Sequence, residues 1–307
     1  MADLITALVI GGAGFIGRAT CRALTERGLR VVAGDVTGAA MDFPFQRTDV
    51  TQLDSVCQSF REVNPHVVVN LAYLLADETE SDPSRAFHVN VAGMQHVFEA
   101  CSFFDVERCV YASSLAVYGD QSMWGAREAS EDDFGRPVRL YGWHKVLNEV
   151  TAQRYDRTCV TRFIGLRISS VYGAGREIGL SAPINALLAS ARSGTTAQSP
   201  WSGDTEFNVI HVDDVAEAIA ALATAPNPEH SVYNSGGETV SIGDLERTVR
   251  AVNPLAEITY AEPPVPPFAH CSRIDWSRLR TEYGLRRSSI EERLTVEVAN
   301  ARKAVPS

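Results

Sequence analysis

The sequence lacks paired cysteines, long apolar runs and an N-terminal basic segment. None of its six cysteines, at positions 21, 57, 101, 109, 159 and 271, belongs to a CxxC pair, so no zinc site or disulfide framework is expected. Scattered cysteines of this kind favour a reducing, cytoplasmic compartment. No apolar stretch reaches the roughly 18 residues that a transmembrane helix needs. The opening MADLITALVIGG runs straight into glycines, which predicts a first strand rather than a signal peptide.

Basic residues are also too few for a polyanion-binding surface. The 28 basic and 38 acidic side chains give a net charge of −10. This balance argues against nucleic acid or an anionic membrane as the main partner, since both attract a basic face. A small anionic ligand remains possible, because it needs only a local pocket of donors. The 307 residues suffice for a full hydrophobic core without metal or disulfide support.

Short apolar runs alternate with helical patterns through the first half of the chain. The apolar runs predict strands at residues 7–12, 30–35, 66–73, 107–114 and 162–168. The intervening patterns predict helices at residues 14–27, 51–63, 84–104 and 141–156. This alternation predicts an α/β fold, a Rossmann-type doubly wound parallel sheet with helices on both faces.

The second half has a different pattern and predicts a smaller C-terminal lobe. It contains a helical pattern at 182–193, a polar loop at 193–206, a strand at 207–212, and a further helix at 213–223. The proline-rich residues 262–267 predict a connection. We expect residues 1–173 and 207–224 to form the main sheet domain. Residues 174–206 and 225–307 are expected to form a lobe that binds the substrate.

A glycine-rich loop follows the first predicted strand and opens the first predicted helix. Within residues 11–17, GGAGFIG, the glycines fit both GxGxxG and GxxGxxG. Such a loop allows a tight turn and close approach of a pyrophosphate to the helix N-terminus. Asp35 ends the second strand, 18 residues after Gly17, where a carboxylate accepts hydrogen bonds from the adenosine ribose and repels a 2′-phosphate. The pattern predicts NAD rather than NADP.

Three polar residues indicate proton-transfer chemistry. Tyr141 and Lys145 are four apart in a helical pattern, so they project from one helix face. Ser114 ends the fourth predicted strand, at the edge where α/β sheets bind ligands. An ammonium near a phenol lowers the phenol pKa and makes it a better acid or base. A serine hydroxyl in the same place can donate to a substrate oxygen.

The sequence resembles the extended short-chain dehydrogenase/reductases, the NAD-dependent epimerase/dehydratase family. The motifs that carry this resemblance span nearly the whole chain: GGAGFIG (11–17), Asp35, DVT (49–51), NLAY (70–73), HVNVAG (88–93), YASSLAVYGD (111–120), YGWHK (141–145), LRISSVYGAG (166–175) and IHVDDVAEA (210–218). They are specific for the family and the fold, and much less specific for the reaction.

The resemblance implies a role for each matching residue. Tyr141 is expected to donate and accept the proton, Lys145 to activate it and anchor the nicotinamide ribose, and Ser114 to be the catalytic hydroxyl. Cofactor contacts are implied for Gly11, Gly14, Phe15, Ile16, Gly17, Asp35, Asp49, Val50, Leu71, Ala72, Tyr73, Asn90, Ser113, Tyr141, Lys145 and Ile168. Helices 84–104 and 141–156 resemble those that form a four-helix dimer interface, so a homodimer is expected.

Several positions depart from the family's nucleotide-sugar enzymes. Ser114 is followed by Leu115 and Ala116, so the acids that drive dehydration are missing. Phe207 stands where nucleotide-sugar epimerases carry a diphosphate-binding arginine, and Ser170 stands where they carry asparagine. These changes favour a smaller substrate with one anionic group. The candidate substrate residues are Ser114, Ser170, Arg176, Phe207 and Arg273.

Two enzymatic functions therefore compete. One is an NAD-dependent dehydrogenase that transfers hydride at a secondary hydroxyl or ketone of a small polar or sugar-like substrate. The other is a nucleotide-sugar 4-epimerase of the UDP-glucose type, which keeps its NAD tightly bound. A non-catalytic NAD-binding sensor is a third possibility, which the complete Ser–Tyr–Lys set argues against.

Overall fold

The computed structural model describes residues 4–38, 42–179 and 181–304. The predicted domain limits at residues 1 and 307 lie outside this range. The described strands are β1 (Thr6–Ile10), β2 (Arg30–Asp35), β3 (Phe45–Arg47), β4 (Val67–Asn70), β5 (Arg108–Ser114), β6 (Arg162–Ile168), β7 (Ser170–Tyr172), β8 (Thr196–Ser199), β9 (Glu206–His211), β10 (Val232–Asn234), β11 (Glu238–Ser241) and β12 (Glu257–Tyr260).

The helices lie mostly between these strands along the chain. They are α1 (Phe15–Glu26), α2 (Leu53–Val63), α3 (Ala76–Ser81), α4 (Pro83–Ala86), α5 (Gly93–Phe103), α6 (Leu140–Asp156), α7 (Ala182–Ser193), α8 (Val212–Thr224), α9 (Ile242–Val252), α10 (Ser277–Tyr283) and α11 (Ile290–Ala304). Among the described residues, no helix combines the length and the apolar character that crossing a membrane requires.

Seven parallel strands form the main sheet, in the order β10-β6-β5-β4-β1-β2-β3. The central strands are buried on both faces, since helices α1, α8 and α10 cover one face and α2, α5 and α6 the other. Apolar runs such as ALVI at the start of the chain are what a doubly covered parallel strand requires. The predicted Rossmann-type fold is confirmed.

The strand order reverses between β1 and β4, which opens a crevice at their carboxyl ends. The backbone after β1 turns there into α1, and the backbone after β4 runs alongside it. The Leu71 amide hydrogen-bonds the Ile10 carbonyl over 2.8 Å. The fold therefore places the glycine-rich loop at the point where parallel sheets of this type bind ligands.

The smaller lobe has its own sheets and its own core. A three-stranded sheet, β11-β9-β7, and a two-stranded sheet, β12-β8, pack with α7, α9 and α11 around a third hydrophobic cluster. Strand β8 lies inside the segment that we predicted as a polar loop. Its four residues, TAQS, are small or polar and include no large apolar side chain, which explains why no strand pattern was visible.

Two strands pair in a different region from the one predicted for them. Strand β9, expected in the main domain, pairs with β7 and β11 in the lobe, where Phe207 and Val209 enter the lobe's core. Its Ile210 instead joins the core beside the main sheet. Strand β10, expected in the lobe, pairs in parallel with β6. It has only three residues, too few to show a pattern in the sequence.

The predicted helix at 84–104 is interrupted. Helix α4 is followed by a π-helical turn at Phe87–Ala92, and only then by α5. Asn90 lies buried in this turn, and its side-chain amide bonds both the Leu74 amide and the Leu74 carbonyl. The turn thereby fixes the segment that follows β4, which lies against the crevice.

Candidate active site

A cavity of about 530 Å³ lies between the carboxyl ends of the main strands and the smaller lobe. It gathers most of the predicted site residues. The predicted residues on its wall are Gly11, Gly14, Phe15, Ile16, Gly17, Leu71, Tyr73, Ser113, Ser114, Tyr141, Lys145, Ile168, Ser170 and Arg176.

The glycine-rich loop fits a dinucleotide pyrophosphate because two glycines leave no room for side chains. Gly11 has a φ of +79°, and a Cβ there would lie 2.7 Å from the Ala72 amide nitrogen. A Cβ on Gly17 would lie 2.1 Å from the Gly11 carbonyl oxygen. Gly14 caps α1 without a side-chain hydrogen bond, so the first amides of that helix face the cavity uncovered by a cap.

Asp35 lies beside this loop, although it does not line the cavity wall. Its Oδ2 accepts the Ala13 amide over 3.1 Å, and its Oδ1 accepts the Val36 amide over 2.8 Å. Each carboxylate oxygen has lone pairs left for further donors. The glycine loop would hold the pyrophosphate of NAD, and Asp35 would accept the ribose hydroxyls.

Ser114, Tyr141 and Lys145 come together in the cavity from β5 and α6. Ser114 ends β5, and the other two residues lie one turn apart near the start of α6. The Lys145 Nζ lies 5.4 Å from the centroid of the Tyr141 ring and donates to the Ala112 carbonyl over 2.7 Å. Tyr73 contacts both, with its ring edge-on to Tyr141 at 5.4 Å.

Burial and nearby groups act in opposite directions on Tyr141. Burial has the larger effect and raises the pKa of Tyr141, while a hydrogen bond with Ser114 and the positive charge of Arg176 lower it in part. Burial also lowers the pKa of Arg176 and holds the pKa of Lys145 well below its ordinary range. The Arg176 guanidinium pairs with no carboxylate of the described residues. It is therefore available to an anionic ligand beside Tyr141.

A buried ionic network lies behind β5. Glu149, four residues after Lys145, accepts two hydrogen bonds from Arg167 over 2.9 and 2.7 Å, and one from the Ser113 hydroxyl. Arg167 also donates to the Tyr118 hydroxyl over 2.7 Å, and Tyr118 donates to Asn234. The network ties β5, β6, β10 and α6 together, so it fixes the strand end that carries Ser113 and Ser114.

Besides Asp35, four predicted cofactor residues lie off the cavity wall. Asp49 accepts the amide and hydroxyl of Thr51, Val50 packs against Gly93, and Ala72 lies against the glycine loop. Asn90 is fully buried in the π-helical turn. Their contacts are those of residues that shape the crevice. A direct contact between any of them and the cofactor stays a prediction.

Two predicted substrate residues face away from the cavity. Phe207 is fully buried and packs against Trp201, because its alternation along β9 turns it into the lobe's core. Arg273 forms an ion pair with Glu206 at 3.1 Å and does not reach the wall. The sequence placed Phe207 among the candidate substrate residues, and the structure corrects this: its neighbour in space, His270, lies on the cavity wall instead.

One side of the cavity is formed by residues that were not among the predicted site residues. Residues 268–271 follow the proline-rich connection and bring Phe268, His270 and Cys271 to the wall. Burial raises the pKa of the Cys271 thiol to about 11, so it is not a nucleophile at neutral pH. Only long-range folding brings residues 268–271 to the site, so no local sequence pattern predicts their position.

Arg139 also lines the cavity, with an ion pair to Asp77 at 3.4 Å.

Comparison with known proteins identifies the class. The family model described as "NAD dependent epimerase/dehydratase family" matches residues 7–236, so the chain belongs to that family. It is 29% identical over 280 residues to a UDP-glucose 4-epimerase of Streptomyces lividans, covering 82% of each chain. The crystal structure of a Thermus thermophilus UDP-glucose 4-epimerase in complex with NAD is 27% identical, with a TM-score of 0.83 over 98% of this chain and 100% of that one.

A third similarity concerns the fold alone. A partial consensus L-threonine 3-dehydrogenase is 21% identical and has a TM-score of 0.88, with 97% of this chain and 100% of that chain covered. The family and these relatives establish an NAD-dependent enzyme of the extended short-chain type, an oxidoreductase or epimerase.

Proposed function

We propose that the protein is an NAD-dependent dehydrogenase that oxidises a secondary hydroxyl of a small polar or sugar-like substrate with one anionic group. The observation that carries this choice is Arg176, which lies in the cavity near Tyr141 with no carboxylate partner among the described residues. The cavity's other arginine, Arg139, already pairs with Asp77. One guanidinium that donates only to the Ser181 hydroxyl, over 3.4 Å, and has no carboxylate partner among the described residues suits a single carboxylate or phosphate better than a diphosphate.

In this proposal the chain's own groups bind the alcohol and move its proton. Ser114 donates a hydrogen bond to the substrate oxygen, and the ionised Tyr141 accepts the hydroxyl proton. Arg176 binds the anionic group and, through its charge, favours the ionised form of Tyr141. Lys145 supports the ribose side of the site. Bound NAD supplies the hydride acceptor.

The test is a turnover assay with a panel of sugar acids, free sugars and nucleotide sugars. We expect stoichiometric NADH release with a small anionic member of the panel. Arg176→Lys keeps the charge but loses bidentate geometry, whereas Arg176→Met loses both. A KM that rises in both variants, more in Arg176→Met, supports the anion site. Equal kinetics in all three proteins contradict it.

The second candidate is a nucleotide-sugar 4-epimerase of the UDP-glucose type, and the named relatives favour it. That reaction uses Ser114, Tyr141 and Lys145 without net release of NADH. Adding UDP, dTDP or GDP in the presence of NAD distinguishes the two functions. Micromolar binding, seen as a raised Tm or displaced substrate, supports the epimerase and contradicts the small-substrate proposal.

A homodimer belongs to the same proposal. Helix α6 carries Tyr141 and Lys145 on its inner face and exposes Trp143, Leu147 and Val150 on its outer face. An apolar stripe of this size on a helix surface is typical of an interface. Light scattering should give the mass of a dimer for the wild type and of a monomer for Leu147→Glu with Val150→Glu. Leu255→Glu, at an exposed position in the lobe, is the control expected to stay dimeric.

The location that we propose is the cytoplasm. All six cysteines are free thiols in the structure, which suits a reducing compartment. Fractionation of the producing cells tests this, with activity expected in the soluble cytoplasmic fraction. Activity recovered outside the cell contradicts it.

A further inference from the structure

Lys145 is buried almost completely, yet its function requires a charged ammonium. Its exposed fraction is 1%, and burial lowers its pKa well below the ordinary value. Among the described residues, the Nζ has one hydrogen-bond acceptor, the Ala112 carbonyl at 2.7 Å; its nearer aromatic ring is Tyr73, with the centroid at 3.2 Å, and the Tyr141 centroid is 5.4 Å away. An ammonium with three N–H groups needs more compensation in such a site than one carbonyl provides.

The nearest carboxylate on the same helix is already engaged. Glu149 raises the pKa of Lys145 through its charge, but it forms no ion pair with that lysine. Its oxygens accept two bonds from Arg167 and one from Ser113. The other titratable neighbours on α6 are Tyr141 and His144. None of these groups contacts the ammonium as closely as the Tyr73 ring does.

We propose that Tyr73 is a positioning residue for the reaction, whose ring holds the Lys145 ammonium charged and in place beside Tyr141. The face of an aromatic ring carries negative electrostatic potential, and its attraction to a cation is strongest where water is excluded. The same ring meets Tyr141 edge-on, at an interplanar angle of 82°. Tyr73 therefore sets the spacing between the two functional groups. The proposal rests on the role of Lys145 proposed above.

The backbone around Tyr73 is built to keep this ring still. The Asn70 Oδ1 accepts the Ala72 amide over 3.2 Å, and the Asn90 Oδ1 accepts the Leu74 amide over 2.7 Å. The residues before and after Tyr73 are thus each fixed by a buried asparagine. The fold therefore holds the backbone on both sides of the ring.

The composition of the chain permits a direct test. It contains only two lysines, Lys145 and Lys303, so ¹³C,¹⁵N-lysine labelling gives two side-chain signals. The variant Lys303→Arg leaves one signal and assigns it to Lys145. We would titrate this signal by NMR in wild-type protein, in Tyr73→Phe, and with 3,4,5-trifluorophenylalanine at position 73. Fluorine withdraws electron density from the ring face with little change in shape.

We expect Tyr73→Phe to titrate close to the wild type, because the ring is retained. The fluorinated ring should lower the midpoint of the Lys145 titration by about one pH unit, the size of a desolvated cation–π contact. The alkaline limb of NAD affinity against pH should move by the same amount. The same fluorinated residue at Phe98, in the core under the sheet, is the matched control and should shift neither.

An unchanged Lys145 midpoint with the fluorinated ring overturns the proposal, since a role in packing alone is insensitive to ring electrostatics. A shift of equal size from Phe98 overturns it as well. The titration needs neither cofactor nor substrate. A failed dehydrogenase assay therefore refutes the proposed function without affecting this result.

Discussion

The Phe207 ring stacks on the His270 imidazole, with centroids 4.5 Å apart and planes 10° from parallel. Both ring nitrogens of His270 lie at carbonyl oxygens, Nδ1 at 2.7 Å from Phe268 and Nε2 at 2.6 Å from Glu206. The histidine is therefore held rigidly between the buried phenylalanine and the cavity. Phe207 lies behind this stack and does not itself line the cavity.

Phe207→Ala should destabilise the protein strongly. The residue is fully buried among Trp201, Phe268 and His270, and truncating such a side chain leaves a cavity. We expect the free energy of unfolding to fall by about 3–5 kcal/mol, measured by urea denaturation. Phe134→Ala, at a position that is 82% exposed, should change it by less than about 0.5 kcal/mol. A mild effect at position 207 would mean that the aromatic cluster is not tightly packed.

Asp35→Ala should weaken NAD binding and relax the preference over NADP. Two charge-assisted hydrogen bonds from the ribose to a carboxylate are lost, which corresponds to roughly a 10²- to 10⁴-fold loss of affinity. The affinity for NADP should fall less or should rise, because the carboxylate that repels the 2′-phosphate is removed. Calorimetric titration of both cofactors measures this, and Asp35→Asn, which keeps shape without charge, should fall between. Tighter NADP binding by the wild type would refute the assignment.

Tyr141→Phe should fold and bind NAD, because it loses only one hydroxyl. Turnover should decrease by about 10²–10⁴-fold, the range for a positioned proton-transfer group. The assay is NADH release with the substrate found in the panel, and calorimetry with NAD is the control for binding. Turnover close to that of the wild type would exclude Tyr141 as the acid or base.

Stability should depend on pH through Lys145. Its pKa in the folded protein is lowered by burial, so protons bind more weakly to the folded than to the unfolded state. The charged lysine therefore costs stability below the folded pKa, and this cost disappears as the pH rises toward the unfolded value of about 10.4. Unfolding of wild type and Lys145→Met from pH 7 to 10 measures it. The wild type should gain stability relative to the variant as the pH rises, and a falling difference would contradict the direction of the shift.

Local sequence patterns were sufficient to predict the parallel core of the fold and the site at the carboxyl ends of its strands. Buried parallel strands are continuous apolar runs, so the sequence alone predicts them. The spacing of the glycines near residue 14 likewise predicts a phosphate-binding turn without a structure. Tyr141, Lys145 and Ser114 were found because spacing along a helix and position at a strand end are local properties. These residues do meet in one cavity.

The predicted and observed site residues differ where the folded chain brings distant segments together. His270 reaches the cavity only because β9 turns Phe207 into the lobe and the segment after the proline-rich connection lies across it. Arg273 is held by Glu206, a partner 67 residues away. The contact of Tyr73 with Lys145 joins the end of β4 to α6. Sequence spacing carries no information about such pairs.

The path of the chain between the sheet and the lobe also limits how the molecule can come apart. From β7 onward the chain builds the lobe through β9, returns to the sheet with α8 and β10, and re-enters the lobe at β11. Because the chain passes between the sheet and the lobe more than once, neither region is one continuous segment of the polypeptide. No single cut in the chain can therefore separate them. Thermal melting should accordingly be one cooperative transition, seen at the same temperature by tryptophan fluorescence and by circular dichroism.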